Sequence, residues 1–202
     1  MSFPPRTWDL LLIGGASGVG KSSVSYRLAQ HFGVALIEVD DFQTVLQHMT
    51  TPEQFPALHF WDTHPDPRSL APEVIFEQGK AIACELHPAL ELVIANHLET
   101  DRPAVLDGDF LTPALMVQAA YAGCENAGRV CGIVVDEPDE VQIVRNYGLR
   151  EPGAGEQTQR ARVSKLFGDW LKHDAERFGI QVVEARPWDT VFERVLDVLA
   201  AR

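Results

Sequence analysis

The chain has few cysteines, few basic residues and no long apolar run. Its 3 cysteines among 202 residues form no Cys-x-x-Cys pair, so we expect neither a disulfide framework nor a structural zinc site. No apolar run reaches the ~18 residues that suggest a membrane span. Lysine and arginine total 17 against 29 acidic residues, a formal net charge of −12. This balance disfavours binding to nucleic acid or to an anionic membrane.

Length and composition fit one globular domain with its own core. Hydrophobic residues make up 46% of the chain, which is ordinary for a globular protein. The first residues place Arg6 and Asp9 before a short apolar run, which is not the pattern of a signal peptide. We therefore expect a cytoplasmic protein with reduced cysteines. Both a monomer and a homodimer are compatible with the sequence.

Short apolar runs alternate with helical patterns along the chain. Continuous apolar runs are typical of parallel strands that helices cover on both faces, and the alternation predicts an α/β fold with such a sheet. The five predicted strands are residues 9–14, 34–39, 103–108, 129–136 and 180–185. Two intervals interrupt the alternation. We predict a helical lobe at 42–102, with a break at Pro88, and a mobile Gly- and Pro-rich flap at 148–157.

The segment GASGVGKS, residues 15–22, matches the phosphate-loop pattern GxxxxGK[ST] in full. It follows a predicted strand and precedes a predicted helix, the context that supports the motif. Glycines let successive backbone N–H groups point at one phosphate, and the helix N-terminus adds its dipole. Lys21 would neutralise phosphate charge, and the Ser22 hydroxyl would ligate Mg²⁺. The predicted nucleotide contacts are Gly15, Ala16, Ser17, Gly18, Val19, Gly20, Lys21, Ser22 and Ser23.

Two strand ends offer carboxylates for the magnesium ion. Asp107 and Asp109 follow the third predicted strand, whereas Asp136 and Glu137 follow the fourth. The second pair is similar to the Asp-Glu signature of ATP-hydrolysing machines. Acids in a first helical turn are, however, also favoured by capping and by the helix dipole. We favour Asp107 as the magnesium ligand, with Asp109 as the fallback.

A third acidic pair, Asp40 and Asp41, ends the second predicted strand. Ligands collect at the carboxyl ends of strands in doubly wound sheets. A carboxylate there can accept the proton of a hydroxyl that attacks a γ-phosphate. The alternation of side chains along a strand does not decide which of the two aspartates faces the ligand, because the end of the strand is uncertain by a residue. The structural alternative is that the pair caps a helix over residues 42–49.

With these motifs, the chain resembles P-loop small-molecule kinases of the nucleoside/nucleotide-kinase-like superfamily. The superfamily includes uridine, gluconate and shikimate kinases, chloramphenicol phosphotransferase, zeta-toxin-type kinases and 2-phosphoglycerate-kinase-like proteins. The resemblance implies one kinase domain over residues 1–202, with a three-layer fold and a parallel sheet in the order 2-3-1-4-5. It also implies an acceptor lobe at 42–102 and a lid at 145–162.

The same resemblance implies roles for residues near the lid and after the last strand. Arg145 and Arg150 are similar to the lid arginines that neutralise the transferring phosphoryl group. Arg186 or Trp188 would lie against the base, and a tryptophan that only packs against the protein is the alternative. No Asn-Lys-x-Asp motif is present, so ATP with Mg²⁺ is expected rather than GTP.

The predicted acceptor lobe is poor in basic residues. Between residues 42 and 100, only Arg68 and Lys80 are basic apart from histidine. Phosphorylated or carboxylated acceptors are usually clamped by arginines, so we favour a neutral or cationic polyhydroxy or nucleoside-like acceptor. The expected acceptor contacts are Asp41, His59, Trp61, Asp62 and Asp109. A packed loop, or a zinc site that also uses His64, is the alternative for the segment 57–69.

These observations predict an ATP- and Mg²⁺-dependent phosphotransferase acting on a hydroxyl of a small molecule. One alternative is a P-loop ATPase or nucleotide-dependent switch acting on a macromolecule, with Glu137 as its catalytic acid. Another is a kinase of a phosphorylated acceptor such as a nucleotide sugar or phosphoglycerate.

Overall fold

The computed structural model describes residues 3–201. A three-residue 3₁₀ helix, Pro67–Ser69, precedes the fourth α-helix. In chain order the strands are β1 (Leu10–Gly14), β2 (Ala35–Glu38), β3 (Ala104–Asp107), β4 (Ala120–Tyr121), β5 (Cys124–Glu125), β6 (Val130–Asp136) and β7 (Gln181–Glu184). The helices are α1 (Lys21–Phe32), α2 (Val39–Met49), α3 (Phe60–Thr63), α4 (Pro72–Glu99), α5 (Pro113–Met116), α6 (Glu140–Arg150), α7 (Thr158–Phe178) and α8 (Val191–Ala200).

The main sheet has five parallel strands in the order β2-β3-β1-β6-β7. Numbered along the chain, this is the expected order 2-3-1-4-5, so the predicted α/β fold class is confirmed. Strand β1 is central and all five of its residues are buried, which explains why its sequence is apolar without alternation. Strands β4 and β5 form a separate antiparallel pair.

The predicted helix break at Pro88 is wrong. Helix α4 runs without interruption for 28 residues and contains Pro88 in its interior. Proline there removes one backbone hydrogen bond and normally kinks a helix. Leu86 and Leu90, on either side of it, are fully buried. Burial of this apolar face outweighs the local cost, as tertiary packing often does.

The second predicted strand is shorter than the sequence indicated. Strand β2 ends at Glu38, and α2 begins at Val39, so the helix includes Asp40 and Asp41 in its first turn. Val39 is buried against Gly108, where an added Cβ would lie 2.4 Å from the Val39 Cβ. This contact brings the start of α2 close to the carboxyl end of β3. The two aspartates therefore occupy helical positions of different orientation, not a strand end.

None of the helices within residues 3–201 has the length and apolar content needed to span a membrane.

Candidate phosphate-transfer site

The loop between β1 and α1 has a backbone that requires glycine. Gly15, Gly18 and Gly20 have φ angles of 151°, 78° and 94°, which residues with a Cβ rarely adopt. A Cβ on Gly15 would lie 2.4 Å from the carbonyl oxygen of Val135. The loop thus forms the tight cradle that the phosphate-loop motif predicts, and it leads directly into the N-terminus of α1.

Lys21 is the first residue of α1 and is buried. Its ammonium group donates to the backbone oxygen of Ala16 at 3.4 Å and forms an ion pair with Asp109. Burial by itself lowers the pKa of Lys21, but the nearby carboxylates, Asp109 first, outweigh burial and raise the pKa overall. Lys21 therefore stays cationic at the base of the loop.

Asp107 lies beside the phosphate loop because β3 pairs with β1, with Asp107 in register with Ile13. The Ser22 hydroxyl donates to Asp107 Oδ2 at 2.7 Å, and the Ser25 hydroxyl donates to Asp107 Oδ1 at 3.1 Å. A serine hydroxyl and one carboxylate, completed by phosphate oxygens and water, are donors that suit Mg²⁺. The donor set therefore fits the ion that the sequence predicts.

A cavity of about 290 Å³ joins the ends of β2 and β3 to the phosphate loop; we call it the transfer cavity. Asp40 lines it, whereas Asp41 does not. Partial burial raises the pKa of Asp40, and repulsion from Asp109 raises it further, although Lys21 acts in the opposite direction. The structure therefore brings Asp40, not Asp41, to the phosphate loop. The full lining is Ser17, Lys21, Ser22, Glu38, Asp40, Gln43, Asp107, Gly108, Asp109, Phe110, Arg150 and Arg160.

Two arginines line the transfer cavity, but they are not the pair that the resemblance suggested. Arg150 and Arg160, here called the lid arginines, both reach it, whereas Arg145 is exposed and outside its lining. The five-residue separation of Arg145 and Arg150 turns them about 140° apart on a helix, so both cannot face one cavity. Glu151 accepts a hydrogen bond from Arg150 Nη2 at 2.9 Å and two from Arg160 Nη1 at 3.0 and 2.9 Å.

The Tyr147 ring contacts both lid arginines. The guanidinium carbon of Arg160 lies 4.2 Å from the ring centroid, and that of Arg150 lies 5.1 Å from it. The Tyr147 hydroxyl shares a 2.7 Å hydrogen bond with Ser164 of α7. Both arginines are thus held near the phosphate loop by cation–π contacts.

The phosphate loop also borders a cavity of about 520 Å³, here called the nucleotide cavity, which shares Lys21, Ser22 and Arg150 with the transfer cavity. Trp188 lines it and packs against Gly20, where an added Cβ would lie 2.6 Å from the ring. Asn146 donates to the backbone oxygen of Gly18 at 2.8 Å. Trp188 therefore lies beside the phosphate loop, and its contact with a base stays a prediction.

Arg186 is held by another contact. It donates two hydrogen bonds of 2.7 Å to the Glu137 carboxylate, which is completely buried. Arg186 does not line the nucleotide cavity. The pair instead fixes the segment after β7 that carries Trp188.

The segment 57–69 only partly faces the site. His59 is buried and bonds to Asp62 at 2.9 Å and to Thr50 at 3.2 Å, so His59 and Asp62 stabilise the segment. Trp61, in contrast, lines a cavity between α4 and α7. Of these three predicted acceptor contacts, the structure brings only Trp61 to a cavity that adjoins the transfer cavity. Within the described residues, no cluster of three or more His, Cys, Asp or Glu is placed to hold a metal ion.

The cavity between α4 and α7 has a volume of about 340 Å³; we call it the acceptor-side cavity. It shares Ser17, Gln43, Asp109, Phe110 and Arg160 with the transfer cavity. Sequence reasoning missed it because the apolar stripe of α7 is also the pattern of a core-facing helix. Gly79, a glycine in the first third of the long helix α4, was the one local signal, because a helical glycine often marks close packing against another element. The remaining lining residues are Trp61, Ile75, Gly79, Ile82, Tyr147, Val163, Ser164 and Phe167.

No protein-family model matches the chain. The 2-phosphoglycerate kinase of Methanocaldococcus jannaschii is 23% identical over 203 residues, which cover 96% of this chain and 63% of that protein. The chain thus spans less than two thirds of that relative.

Two solved structures superpose on almost the whole chain. The gluconokinase from Sinorhizobium meliloti 1021 is 18% identical with a TM-score of 0.55, covering 98% of this chain and 94% of its own. The shikimate kinase from Acinetobacter baumannii, in complex with shikimate, is 11% identical with a TM-score of 0.55, covering 98% and 96%. The chain therefore has the fold of the P-loop small-molecule kinases that its sequence resembles.

Proposed function

We propose that the protein transfers the γ-phosphoryl group of ATP to a hydroxyl of a small molecule. The observation that carries this proposal is the transfer cavity, which combines carboxylates with cationic side chains and shares lining residues with both the nucleotide cavity and the acceptor-side cavity. A hydrolase needs a nucleotide cavity only, because its acceptor is water. The second cavity supports an organic acceptor, and the kinase names of the similar proteins agree with this reaction.

Residues around the phosphate loop would bind the donor. The loop amides and Lys21 hold the β- and γ-phosphates, while Trp188 packs beside the base. Ser22 and Asp107 would hold Mg²⁺, which neutralises phosphate charge. These residues position the donor and balance its charge, which is most of the catalytic requirement in phosphoryl transfer.

Asp40 would act on the acceptor. Its carboxylate accepts the hydroxyl proton while the acceptor oxygen bonds to the γ-phosphorus and the bond between that phosphorus and the bridging oxygen of ADP breaks. A carboxyl group with a raised pKa is the better proton acceptor, and the pKa of Asp40 is raised by partial burial and by Asp109. Asp109 is engaged by Lys21, so it suits orientation of the lysine and of the hydroxyl.

The segments 42–102 and 145–162 would serve as acceptor lobe and lid. The first contributes Gln43, Ile75 and Ile82 to the acceptor-side cavity. The second carries the lid arginines, whose charges face the transfer cavity. On departure of the nucleotide, Glu151 provides their counter-charge.

The ATPase alternative is disfavoured by the position of Glu137. An acid that activates water must reach the γ-phosphate. The Glu137 side chain is completely buried and accepts two hydrogen bonds from Arg186, and it does not line the transfer cavity. Its environment supports a structural ion pair.

The test compares two neighbouring aspartates in a coupled assay of ADP release with pooled alcohols, sugars and hydroxy acids. Asp40→Asn should lower kcat by about 10²–10⁴-fold, the scale of general base catalysis. Asp41→Asn, one residue away on the same helix and outside the cavity, should leave kcat within about twofold of the native value. Equal losses in the two variants, or ADP release that no acceptor stimulates, would contradict the proposal.

A further inference from the structure

The acceptor-side cavity has a polarity that identifies a class of acceptor. Apart from the residues it shares with the transfer cavity, its walls are mostly aliphatic and aromatic side chains of α4 and α7. Phe110 and Phe167 meet edge to face, with ring centroids 6.4 Å apart. The cavity opens towards Asp109 and the transfer cavity. A molecule whose body fills it can therefore present a hydroxyl at the phosphate loop.

Most polar groups in this cavity already have partners. The Tyr147 and Ser164 hydroxyls bond to each other at 2.7 Å and are buried. Arg160 is bonded to Glu151 and lies over the Tyr147 ring. Gln43 and Ser17 remain near the opening to the transfer cavity. The lining residues that the transfer cavity does not share therefore offer packing surface and few free hydrogen-bond partners.

The charges around the cavity do not match an anionic acceptor. Among the described lining residues, Arg160 is the sole cation, and Asp109 is an anion. Lys80, although on α4, pairs with Glu77 at 2.8 Å and is absent from the lining. A phosphate or carboxylate needs several cationic or N–H donors to replace its water. A polyhydroxy body would likewise lose water against the apolar walls without gaining partners.

Gly79 lines the cavity and lets α7 pack closely against α4. It lies in the first third of α4, where a Cβ would stand 3.2 Å from Cε2 of Phe167. A helical glycine costs stability relative to alanine, and here the missing side chain makes room for the Phe167 ring, which forms part of the cavity wall. The cavity volume of about 340 Å³ corresponds to about eleven water volumes, enough for a small ring-bearing molecule.

We propose that the acceptor is an uncharged alcohol with an apolar, ring-containing body, which packs between α4 and α7 with its hydroxyl at Asp40 and Asp109. This inference rests on the proposed function, because it names the acceptor class of that same site. ATP supplies the phosphoryl group, the alcohol oxygen forms the new P–O bond, Asp40 receives the proton and ADP leaves. The acceptor class differs from the phosphoglycerate, gluconate and shikimate named for the similar proteins.

The test uses acceptors that differ in polarity and two variants that differ in position. 2-Phenylethanol serves as the apolar probe, and gluconate, ribose and 2-phosphoglycerate serve as polar probes. Ile75→Phe adds bulk to the cavity wall, whereas Val74→Phe adds the same bulk to an exposed neighbour outside the lining. We expect kcat/KM to be highest for 2-phenylethanol. Ile75→Phe should raise its KM by about tenfold or more with the KM for ATP unchanged, and Val74→Phe should change neither.

A second readout separates binding from catalysis. Trp61 lines the cavity, so 2-phenylethanol should change the tryptophan fluorescence of the protein with ATP bound. That change should be lost in Trp61→Phe and weakened in Ile75→Phe. Preferential phosphorylation of gluconate or 2-phosphoglycerate overturns the acceptor class and leaves the proposed function intact. If no probe is phosphorylated but 2-phenylethanol binds saturably in the cavity, the proposed function is contradicted and the ligand class is supported. If 2-phenylethanol does not bind, the inference is overturned.

Discussion

Glu85 ties the segment that carries Trp61 to helix α4. Its two carboxylate oxygens accept the backbone N–H groups of Ala57 and Leu58 at 3.0 and 2.9 Å. Leu58 is fully buried and Ala57 is 9% exposed, so water cannot readily replace the lost carboxylate. Gln78 of the same helix donates to the Ala57 carbonyl at 2.7 Å. Replacing Glu85 by alanine therefore leaves two buried donors without partners.

The expected loss follows from the two hydrogen bonds. A hydrogen bond to a charged group contributes about 1.5–3 kcal/mol, and the remaining Gln78 contact and local relaxation reduce the sum. We expect Glu85→Ala to lower the free energy of unfolding by about 2–4 kcal/mol. For a chain of this length each kcal/mol shifts Tm by about 2–4 °C.

Urea denaturation followed by circular dichroism measures this loss. The denaturant dependence m of the variant is compared with that of the native protein, to confirm that both unfold in the same transition. Glu99→Ala is the matched control, because Glu99 is an exposed residue at the end of the same helix. The free energy of unfolding of Glu99→Ala should stay within about 0.5 kcal/mol of the native value. If both variants lose the same small amount, the carboxylate does not hold the segment in place and the argument is refuted.

Three further outcomes are expected. Glu151→Gln weakens the ion pairs that occupy the lid arginines, so it should lower the KM for ATP in steady-state kinetics; an increase would contradict the assigned counter-charge. Because partial burial and then Asp109 raise the pKa of Asp40 above 3.8, kcat/KM should fall as the pH drops through that raised pKa, and Asp40→Asn should abolish this limb of the profile. Gly20→Ala forces a Cβ into Trp188 at a φ of 94° and should weaken ATP binding in calorimetry by about tenfold or more. Gly148→Ala, a helical position with open space, should leave ATP binding unchanged.

Features that depend on local sequence were predictable. The phosphate loop is a contiguous motif whose glycines have no substitute at their φ angles, and the apolar strands are continuous in the sequence. Asp107 was predictable because parallel strands β1 and β3 place their carboxyl ends side by side. The order of the five strands agreed with the order that the resemblance implied.

Features that depend on which way a helical residue faces, or on contacts between elements distant in the sequence, were not predictable. The choice between Asp40 and Asp41 required the start of α2, which Val39 fixes by packing against Gly108. To predict that Arg160 lines the transfer cavity and Arg145 does not, one must know how α6 and α7 are oriented relative to each other. The acceptor-side cavity exists only because two helices far apart in sequence face each other, so the apolar residues that line it look like ordinary core residues in the sequence.

The destination of the phosphoryl group tests the central claim most directly. Phosphorus NMR of the protein with ATP, Mg²⁺ and the acceptor probes distinguishes a phosphate monoester from inorganic phosphate. We predict a new monoester signal that grows in step with ADP, that requires an alcohol and that is lost in Asp40→Asn. Accumulation of inorganic phosphate at a rate independent of every alcohol would contradict the account.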